Sequence, residues 1–349
     1  MRVERIEPGR RAPDSLVGAV LTRDLVVAGG RWSKGRRLVA ADLDLLAAEP
    51  PGDGLTVAVL VPHPGDVHED DAAARLAQLV AGEGLTVRGP AESRIDLVAS
   101  APGVLHVRVG VLERLNEIDA IEVFTAFDGT IVADGQLVAS VKVGPHLVSS
   151  EALDGAAREV ETAGGPPVRV AAFIPRRVAV LVKEAVRGLA RDRFETNVRA
   201  KVESLGSTLI GIDYLPDEPA AVLAAVAARS SGPDAADLIL TAGGRSTDPS
   251  DPFFVSVEEL GGEIVSHGVP AHPGSMLWLA RVGDAAVLGL PTCGAYSKAT
   301  AADLILPRLL TGEPPTRRLV AGLGHGGLLT RDQRFRFPRY ARELDAPEG

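Results

Sequence analysis

Apolar and polar residues alternate along the second half of the chain in a way that predicts strands and helices in turn. Short apolar runs at Val178–Val182 and Leu238–Thr241 are typical of buried strands. Longer segments at Pro219–Arg229 and Pro252–Leu260 have the apolar spacing of helices. This alternation favours a mostly parallel sheet with helices on both faces. The predicted fold class is α/β, with further elements expected at Arg193–Leu205, Thr208–Ile212, Glu263–His267, Met276–Ala280, Ala286–Leu290 and Ser297–Leu310.

The first half of the chain has a different pattern, which predicts smaller mixed α+β and β regions. A helix is expected at Glu69–Ala81, where the apolar residues form a stripe, and short β-branched runs such as Ile121–Thr125 and Leu137–Val143 predict strands. The Gly and Pro residues at 164–167 indicate the main boundary. We therefore expect a small α+β region at 1–60, a mixed α+β domain at 61–165, the α/β domain at 166–315 and a partly ordered tail at 316–349.

Composition narrows the classes of protein that the chain could be. The 349 residues have a formal net charge of −9, and 46% are apolar, which is enough to fill real cores. Aromatic residues make up only 4%. An acidic chain with few aromatic residues lacks the basic surface and stacking platforms of most nucleic-acid-binding proteins. We therefore expect no nucleic-acid partner.

Location and redox chemistry follow from what the sequence lacks. No apolar run approaches the ~20 residues that cross a bilayer, and the first residues do not resemble a signal peptide. The expectation is a cytoplasmic protein without a membrane partner. The single cysteine, Cys293, cannot form an internal disulfide, and no base partner is apparent near it. A buried or loop thiol is favoured over a nucleophile.

The loop after the strand at Leu238–Thr241 concentrates residues that could bind an anion. Gly243 and Gly244 allow a ligand to approach the backbone and can direct amide groups toward it. Asp251 precedes Pro252, so it is expected to cap the next helix. A carboxylate there would repel a phosphate unless a cation such as Arg245 or a divalent metal lay between them. Asp248 and Asp251 could also ligate such a metal, so capping and metal binding both stay open.

Two further segments are candidate binding loops. The stretch Gly289–Lys298 precedes the last predicted helix, with Ser297 as its cap and Lys298 as a cation for phosphate. His267 and His272 lie on a Pro-rich loop that could form a rigid rim, although a structural role is favoured over metal binding for each. The remaining histidines singled out, His63, His68 and His325, are expected at the surface.

Asp217 is a further acidic candidate, because it follows a predicted strand and precedes the helix that begins near Pro219. Capping of that helix again competes with a ligand or metal role. In a doubly wound sheet, Asp217 and Asp251 would both lie at carboxyl ends of neighbouring strands. They could then face one crevice.

The ordered series from Asp237 to Gly312 resembles the Mog-type molybdopterin-binding domain, which occurs in molybdenum cofactor synthesis and in gephyrin-like molybdenum insertases. The resemblance depends on a strand followed by Thr241–Ser246, on Asp251, on Glu258–Gly262, on the Pro273-Gly274 turn and on Gly289–Pro291 before a helix. Upstream, Arg193–Asn197 and Leu215–Asp217 are similar to earlier ligand loops of that domain. Lys34-Gly35 and Val67–Ala73 more loosely resemble the leading domains of bacterial proteins that end in it.

The resemblance implies a three-layer α/β domain that binds molybdopterin or its adenylylated form. It implies that Gly243, Gly244 and Ser246 cradle phosphate, and that Asp217 and Asp251 handle metal and molybdenum chemistry. The resulting site hypothesis assigns catalysis to Asp217 and Asp251, Mg²⁺ binding to these two residues and Asp248, and cofactor binding to Gly243, Gly244, Arg245, Ser246, Pro273, Gly274, Pro291 and Lys298. A homo-oligomer is also implied.

Two departures from the insertase pattern leave the activity open. The turn after the first strand is Val182–Ala185 in place of a Thr-Gly-x-Glu-like turn, and Leu290–Gly294 replaces Leu-Pro-Gly-Asn-Pro. The leading hypothesis is a molybdopterin-binding protein of cofactor synthesis or delivery that could insert molybdate. The alternative is a non-catalytic carrier or chaperone for a molybdoenzyme. A nucleotide-dependent transferase or hydrolase of another α/β family is disfavoured, since no Walker or dinucleotide glycine motif is present.

Overall fold

The chain divides into two units, and the computed structural model describes residues 1–50, 56–91, 93–183, 187–290 and 299–344. The N-terminal unit comprises residues 1–100, 106–128 and 134–170, and the C-terminal unit comprises 101–105, 129–133 and 171–349. Most of the C-terminal unit thus follows the Gly- and Pro-rich segment at 164–167. The finer division into four segments stays a prediction.

The described residues among the first 172 form short strands and four α-helices. The strands are β1 (Arg2–Ile6), β2 (Val20–Leu21), β3 (Leu25–Val27), β4 (Gly30–Trp32), β5 (Val57–Val61), β6 (Asp66–His68), β7 (Leu85–Ala91), β8 (Arg94–Ala99), β9 (Gly103–Val107), β10 (Ile121–Thr125), β11 (Ile131–Val132), β12 (Leu137–Val143), β13 (Leu147–Ser149) and β14 (Val168–Ala172). The helices are α1 (Ala40–Ala48), α2 (Glu69–Val80), α3 (Val109–Asn116) and α4 (Ser150–Thr162), and a 3₁₀ turn spans Asp14–Leu16.

These strands form several small sheets rather than one large one. Their orders are β1-β5-β2, β3-β4, β13-β6, β10-β12-β8-β7 and β11-β9-β14. Helix α2 begins at Glu69, as its apolar spacing predicts, and it buries Ala73, Leu76 and Val80 completely. The expectation of mixed α+β and β regions in this half is confirmed.

His68 is not a surface residue, so that expectation is wrong. Only 7% of it is exposed, and its Nδ1 accepts a hydrogen bond from the Asp70 amide at the start of α2. Its Nε2 lies 2.7 Å from the Gly35 carbonyl oxygen. Because Nδ1 accepts, Nε2 bears the proton and donates to that carbonyl. The histidine therefore caps α2 and ties it to the loop at Gly35.

The C-terminal unit is built on a six-stranded sheet with the order β16-β15-β17-β20-β19-β18. Its strands are β15 (Arg177–Val182), β16 (Thr208–Tyr214), β17 (Leu238–Ala242), β18 (Glu263–His267), β19 (Trp278–Val282) and β20 (Ala285–Gly289). Its helices are α5 (Leu189–Glu203), α6 (Pro219–Ser230), α7 (Pro252–Glu259), α8 (Ala302–Leu310), α9 (Arg317–Ala321) and α10 (Arg339–Leu344), with a 3₁₀ turn at Arg331–Arg336.

The sheet is mostly parallel and is covered on both faces, as predicted. Strands β16, β15, β17 and β20 run parallel, whereas β19 and β18 pair antiparallel. One face packs on a core that includes Phe194 of α5 and Ile305 of α8. The other packs on a core that includes Val226 of α6 and Phe253 of α7. The predicted α/β fold with three layers is confirmed.

The described part of the C-terminal tail, residues 316–344, is folded, whereas the sequence predicted partial order at best. Leu319, Val320 and Leu323 join the core that contains Phe194, and Ala341 is completely buried there. These apolar residues are separated by arginines and other polar residues, so the composition of the segment did not predict that they would be buried. Burial of these side chains stabilises the tail against the unit.

A buried ion pair joins α5 to the start of α8. The Lys201 ammonium contacts the Asp303 carboxylate, and 1% or less of either side chain is exposed. Asp303 also accepts a hydrogen bond from the Thr300 amide at 2.9 Å. The Lys201 ammonium lies 5.1 Å from the centre of the Tyr340 ring, which brings α10 into the same cluster.

Lys201→Met is expected to lower the free energy of unfolding by about 3–5 kcal/mol, because it leaves a buried carboxylate without its cation. Urea denaturation followed by circular dichroism measures this change. The matched control is Arg199→Met, which removes an exposed pair with Glu203 on the same helix and should cost about 0–1 kcal/mol. Addition of Asp303→Leu to Lys201→Met should recover most of the lost stability. Equal losses of stability in Lys201→Met and Arg199→Met would contradict the role assigned to the buried ion pair.

Candidate functional site

Charged residues from three strands meet at the carboxyl edge of the parallel sheet. Lys183 directly follows β15, Asp217 lies after β16, and the segment 245–251 follows β17. Because β15 lies between β16 and β17 in the sheet, Lys183 stands between the two acidic segments. We call Lys183, Asp217, Arg245, Asp248 and Asp251 the charged cluster. Ligands of open α/β sheets bind at this kind of edge.

Lys183 is the central residue of the charged cluster, and it was not among the predicted site residues. Its Nζ lies 2.6 Å from Asp251 Oδ2 and 3.1 Å from Asp217 Oδ1, and only 1% of its side chain is exposed. The ammonium also lies 5.4 Å from the centre of the Phe253 ring. Its backbone amide donates to the Ala242 carbonyl at 2.9 Å, which holds the residue at the end of β15.

Asp251 both caps α7 and pairs with the buried ammonium. Oδ1 accepts a hydrogen bond from the Phe253 amide at 3.0 Å, so the predicted capping role is confirmed. Oδ2 accepts from Lys183 and, at 2.7 Å, from the Arg245 amide. The carboxylate is 1% exposed. Its two oxygens are thus engaged by three donors from three separate segments.

Asp217 does not cap α6, because Glu218 is at the capping position and makes no side-chain capping bond. It instead pairs with two cations: Oδ1 contacts Lys183, and Oδ2 lies 3.2 Å from Arg245 Nη2. About half of its side chain is exposed. The structure therefore brings Asp217 and Asp251 to one ammonium, as the hypothesis of a shared crevice requires.

Asp248 lies at the outer side of the charged cluster. It accepts hydrogen bonds from the Ser250 hydroxyl at 2.6 Å and from the Ser250 amide at 2.9 Å. The hydroxyl bond, the amide bond and the charge of Arg245 together lower the pKa of Asp248. The charged cluster therefore contains two cations and three carboxylates, with a net charge of −1 when all are ionised.

The glycine loop between β17 and α7 lies beside the charged cluster. Gly243 has φ of +81°, a left-handed conformation that favours glycine. A Cβ on Gly244 would lie 3.4 Å from the Phe253 ring, an ordinary van der Waals contact. Gly243, Gly244 and Ser246 are half-buried, while the Arg245 side chain is 58% exposed. The exposed guanidinium is the cation of this loop that can reach a ligand.

Pro273 and Gly274, two further predicted site residues, are not in the charged cluster. The Pro273 carbonyl accepts a hydrogen bond from the Ala301 amide at 3.0 Å, and a Cβ on Gly274 would lie 2.8 Å from that amide nitrogen. Both residues thus pack at the start of α8. Pro291, Cys293 and Lys298 lie outside the described residues. Arg193–Asn197, expected as a ligand loop, lies inside α5, so that expectation is wrong.

The donor set of the charged cluster does not fit Mg²⁺. The ion prefers oxygen ligands in octahedral geometry, but an ammonium already stands between Asp217 and Asp251. Asp251 is further engaged by two backbone amides. In the described part of the chain, no group of three or more His, Cys, Asp or Glu side chains is arranged to hold a metal. Mg²⁺ binding by Asp217, Asp248 and Asp251 would require the Lys183 ammonium to leave the carboxylates of Asp217 and Asp251, and it stays a prediction.

The charged cluster lies within a recognised domain. Residues 178–311 match the model of a family described as a probable molybdopterin binding domain. The C-terminal unit contains a domain of this family. The presence of this domain supports a role in molybdenum cofactor biosynthesis. No curated protein matches the chain.

No helix in the described part of the chain is long and apolar enough to cross a membrane.

Solved structures with related descriptions are similar over parts of the chain. Molybdenum cofactor biosynthesis protein B is 22% identical, with 41% of this chain and 97% of that chain covered and a TM-score of 0.33. The molybdopterin biosynthesis enzyme MoaB from Thermus thermophilus is 22% identical, with coverage of 40% and 98% and a TM-score of 0.29. The molybdopterin biosynthesis MoeA protein from Pyrococcus horikoshii is 14% identical, with coverage of 74% and 81% and a TM-score of 0.30.

Lys183→Gln is expected to strengthen metal binding at this domain by on the order of tenfold, because it frees the carboxylates of Asp217 and Asp251 from their ammonium. Titration with Mn²⁺ followed by electron paramagnetic resonance measures the affinity. Arg229→Gln is the matched control, since it frees the single carboxylate of Asp213 elsewhere in the unit. Equal Mn²⁺ affinity of the unmodified protein and Lys183→Gln would show that the ammonium does not compete with metal.

Proposed function

We propose that the C-terminal unit binds molybdopterin or its adenylylated form, and that the protein acts in molybdenum cofactor synthesis or delivery. The observation that supports this most is the position of the charged cluster. Its members and the loop at Gly243-Gly244 all lie within residues 178–311, the part that matches the molybdopterin-binding family. They also lie at the edge of the sheet where ligands of open α/β folds bind.

In this proposal, the phosphate of the pterin is held by groups of the glycine loop. The amides of Gly243 and Gly244, the hydroxyl of Ser246 and the guanidinium of Arg245 supply the donors. The net charge of −1 in the charged cluster means that attraction over long distances is weak. Pro273, Gly274, Pro291 and Lys298 are proposed as further contacts from the resemblance to the family.

Two forms of the function differ in what Asp217 and Asp251 do. If the protein inserts molybdate into adenylylated molybdopterin, these residues would be its catalytic carboxylates. If it is a carrier or chaperone for a molybdoenzyme, they would only shape the site. The ion pairs of both residues with buried Lys183 favour the carrier, because they leave Asp251 little capacity to bind a further cation. A cytoplasmic location and a homo-oligomeric state stay predictions.

Arg245→Ala is expected to weaken molybdopterin binding about tenfold, because it removes a charge-assisted contact with the phosphate worth roughly 1.4 kcal/mol. Intrinsic pterin fluorescence in an equilibrium titration measures the dissociation constant. Arg281→Ala is the control, since Arg281 is equally exposed and its partner Glu263 lies across β18–β19. If neither the unmodified protein nor Arg281→Ala binds pterin, the proposed function is wrong.

A turnover assay with adenylylated molybdopterin and molybdate separates the carrier from the insertase. We expect binding without sustained release of molybdenum cofactor, both for the unmodified protein and for Asp217→Asn. Chromatography of released pterin products over several equivalents of substrate gives the readout. Sustained release that is lost in Asp217→Asn would assign the insertase activity instead.

A further inference from the structure

The N-terminal unit contains a polar cavity of about 300 Å³ that the function proposed for the C-terminal unit does not use. Six of the side chains that line it are Arg31, Lys34, Glu69, Ser93, Lys142 and His146. Arg31 lies in β4 and Lys34 in the loop after it, Glu69 is the first residue of α2, and Ser93 lies in the turn before β8. Lys142 lies near the end of β12, and His146 lies in the loop that follows. We call it the N-terminal cavity. Its volume is at the lower end of the range for small-molecule sites.

Glu69 is a buried carboxylate with one oxygen available in this cavity. The residue is 7% exposed. Its Oε1 accepts a hydrogen bond from His146 Nδ1 at 2.9 Å, and its amide donates to the His146 carbonyl at 3.0 Å. Among the residues that the structure describes, none donates a hydrogen bond to Glu69 Oε2. Because polar groups at a largely buried position are generally hydrogen-bonded, Oε2 is a candidate acceptor for a hydrogen bond from a ligand.

The position of Glu69 is fixed by a close approach to Gly35. A Cβ on Gly35 would lie 2.0 Å from Glu69 Oε1, and Gly35 has φ of +80°. Only glycine therefore allows the carboxylate this place. The hydrogen bond of His68 to the Gly35 carbonyl holds the same loop against α2. The acceptor is thus part of a preformed site rather than a mobile surface side chain.

Two ammonium groups line the same cavity without an acidic partner. Among the residues that the structure describes, no carboxylate oxygen lies within 4.0 Å of the ammonium nitrogen of Lys34 or of Lys142. Asp24, the other carboxylate of the lining, contacts Arg31 at 2.6 Å and accepts from the Lys34 amide at 2.9 Å. The cavity therefore offers two unneutralised cations and one buried acceptor.

We propose that the N-terminal cavity binds a small phosphate-bearing molecule. Lys34 and Lys142 contact its phosphate oxygens, and Glu69 accepts a hydrogen bond from a P–OH, hydroxyl or amino group of the same molecule. Two ammonium groups match a doubly charged phosphate. The carboxylate excludes oxyanions that have no proton at neutral pH, such as sulfate and molybdate, because an oxygen of these ions would meet Glu69 with no hydrogen between them.

Isothermal titration calorimetry with inorganic phosphate and with sulfate tests this site in the full chain. Phosphate has a P–OH at neutral pH, so we expect it to bind at least about tenfold more tightly than sulfate. Lys142→Met is expected to weaken phosphate binding by a similar factor. Arg75→Met is the control, because it removes an exposed charge on α2 that pairs with Asp154 outside the cavity.

Glu69→Gln tests the role of the acceptor. The amide of glutamine can donate to an unprotonated oxyanion, so the preference for phosphate over sulfate should disappear. If thermal denaturation shows that this buried variant is unfolded, Lys34→Met provides the second test, since Lys34 is exposed and its loss should weaken phosphate binding without unfolding.

Two results would overturn the proposal. One is equal binding of phosphate and sulfate by the unmodified protein. The other is loss of phosphate binding in Arg245→Ala but not in Lys142→Met, which would place the phosphate in the C-terminal unit. Pterin binding by Lys142→Met should be unchanged, so failure of this site is distinguishable from failure of the function proposed for the C-terminal unit.

Discussion

The ion pair of Lys183 with Asp251 is the interaction on which the candidate site depends. Both side chains are 1% exposed, and removal of two charges from water is costly unless each finds its partners. The pair meets this cost through a second carboxylate, Asp217, and through amides at the start of α7 and in the glycine loop. The ends of three parallel strands are therefore held together by charge and not by apolar packing alone.

This arrangement explains how an acidic protein could accept an anionic ligand. The chain has a net charge of −9, and the charged cluster is itself negative, with a net charge of −1. In the proposed function, a phosphate would then be recognised at contact distance, through amides and the exposed guanidinium of Arg245, with the nearby carboxylates neutralised by Lys183. Such recognition gives selectivity for donor and acceptor geometry more than a fast rate of encounter.

The sequence predicted what depends on neighbours along the chain and missed what depends on distant contacts. The α/β sheet follows from apolar periodicity, and Asp251 follows from its place before Pro252. Lys183 was missed because its partner is 68 residues away, although a lysine directly after the buried run Val178–Val182 is a usable signal. His68 was misplaced for the same reason, since its partner is the carbonyl of Gly35. Helix α4 was missed although Ser149 caps it in the expected local manner.

A comparison of the two buried carboxylates shows which property points to a ligand. Asp251 and Glu69 are both more than nine-tenths buried and both begin or cap a helix. Asp251 receives a cation and two amides, so its hydrogen bonds already account for its burial. Glu69 receives one bond from His146, and its second oxygen faces a cavity lined by two unpaired ammonium groups. The fold thus supplies partners for both oxygens of Asp251, whereas at Glu69 it leaves one oxygen to accept a hydrogen bond from the proposed ligand.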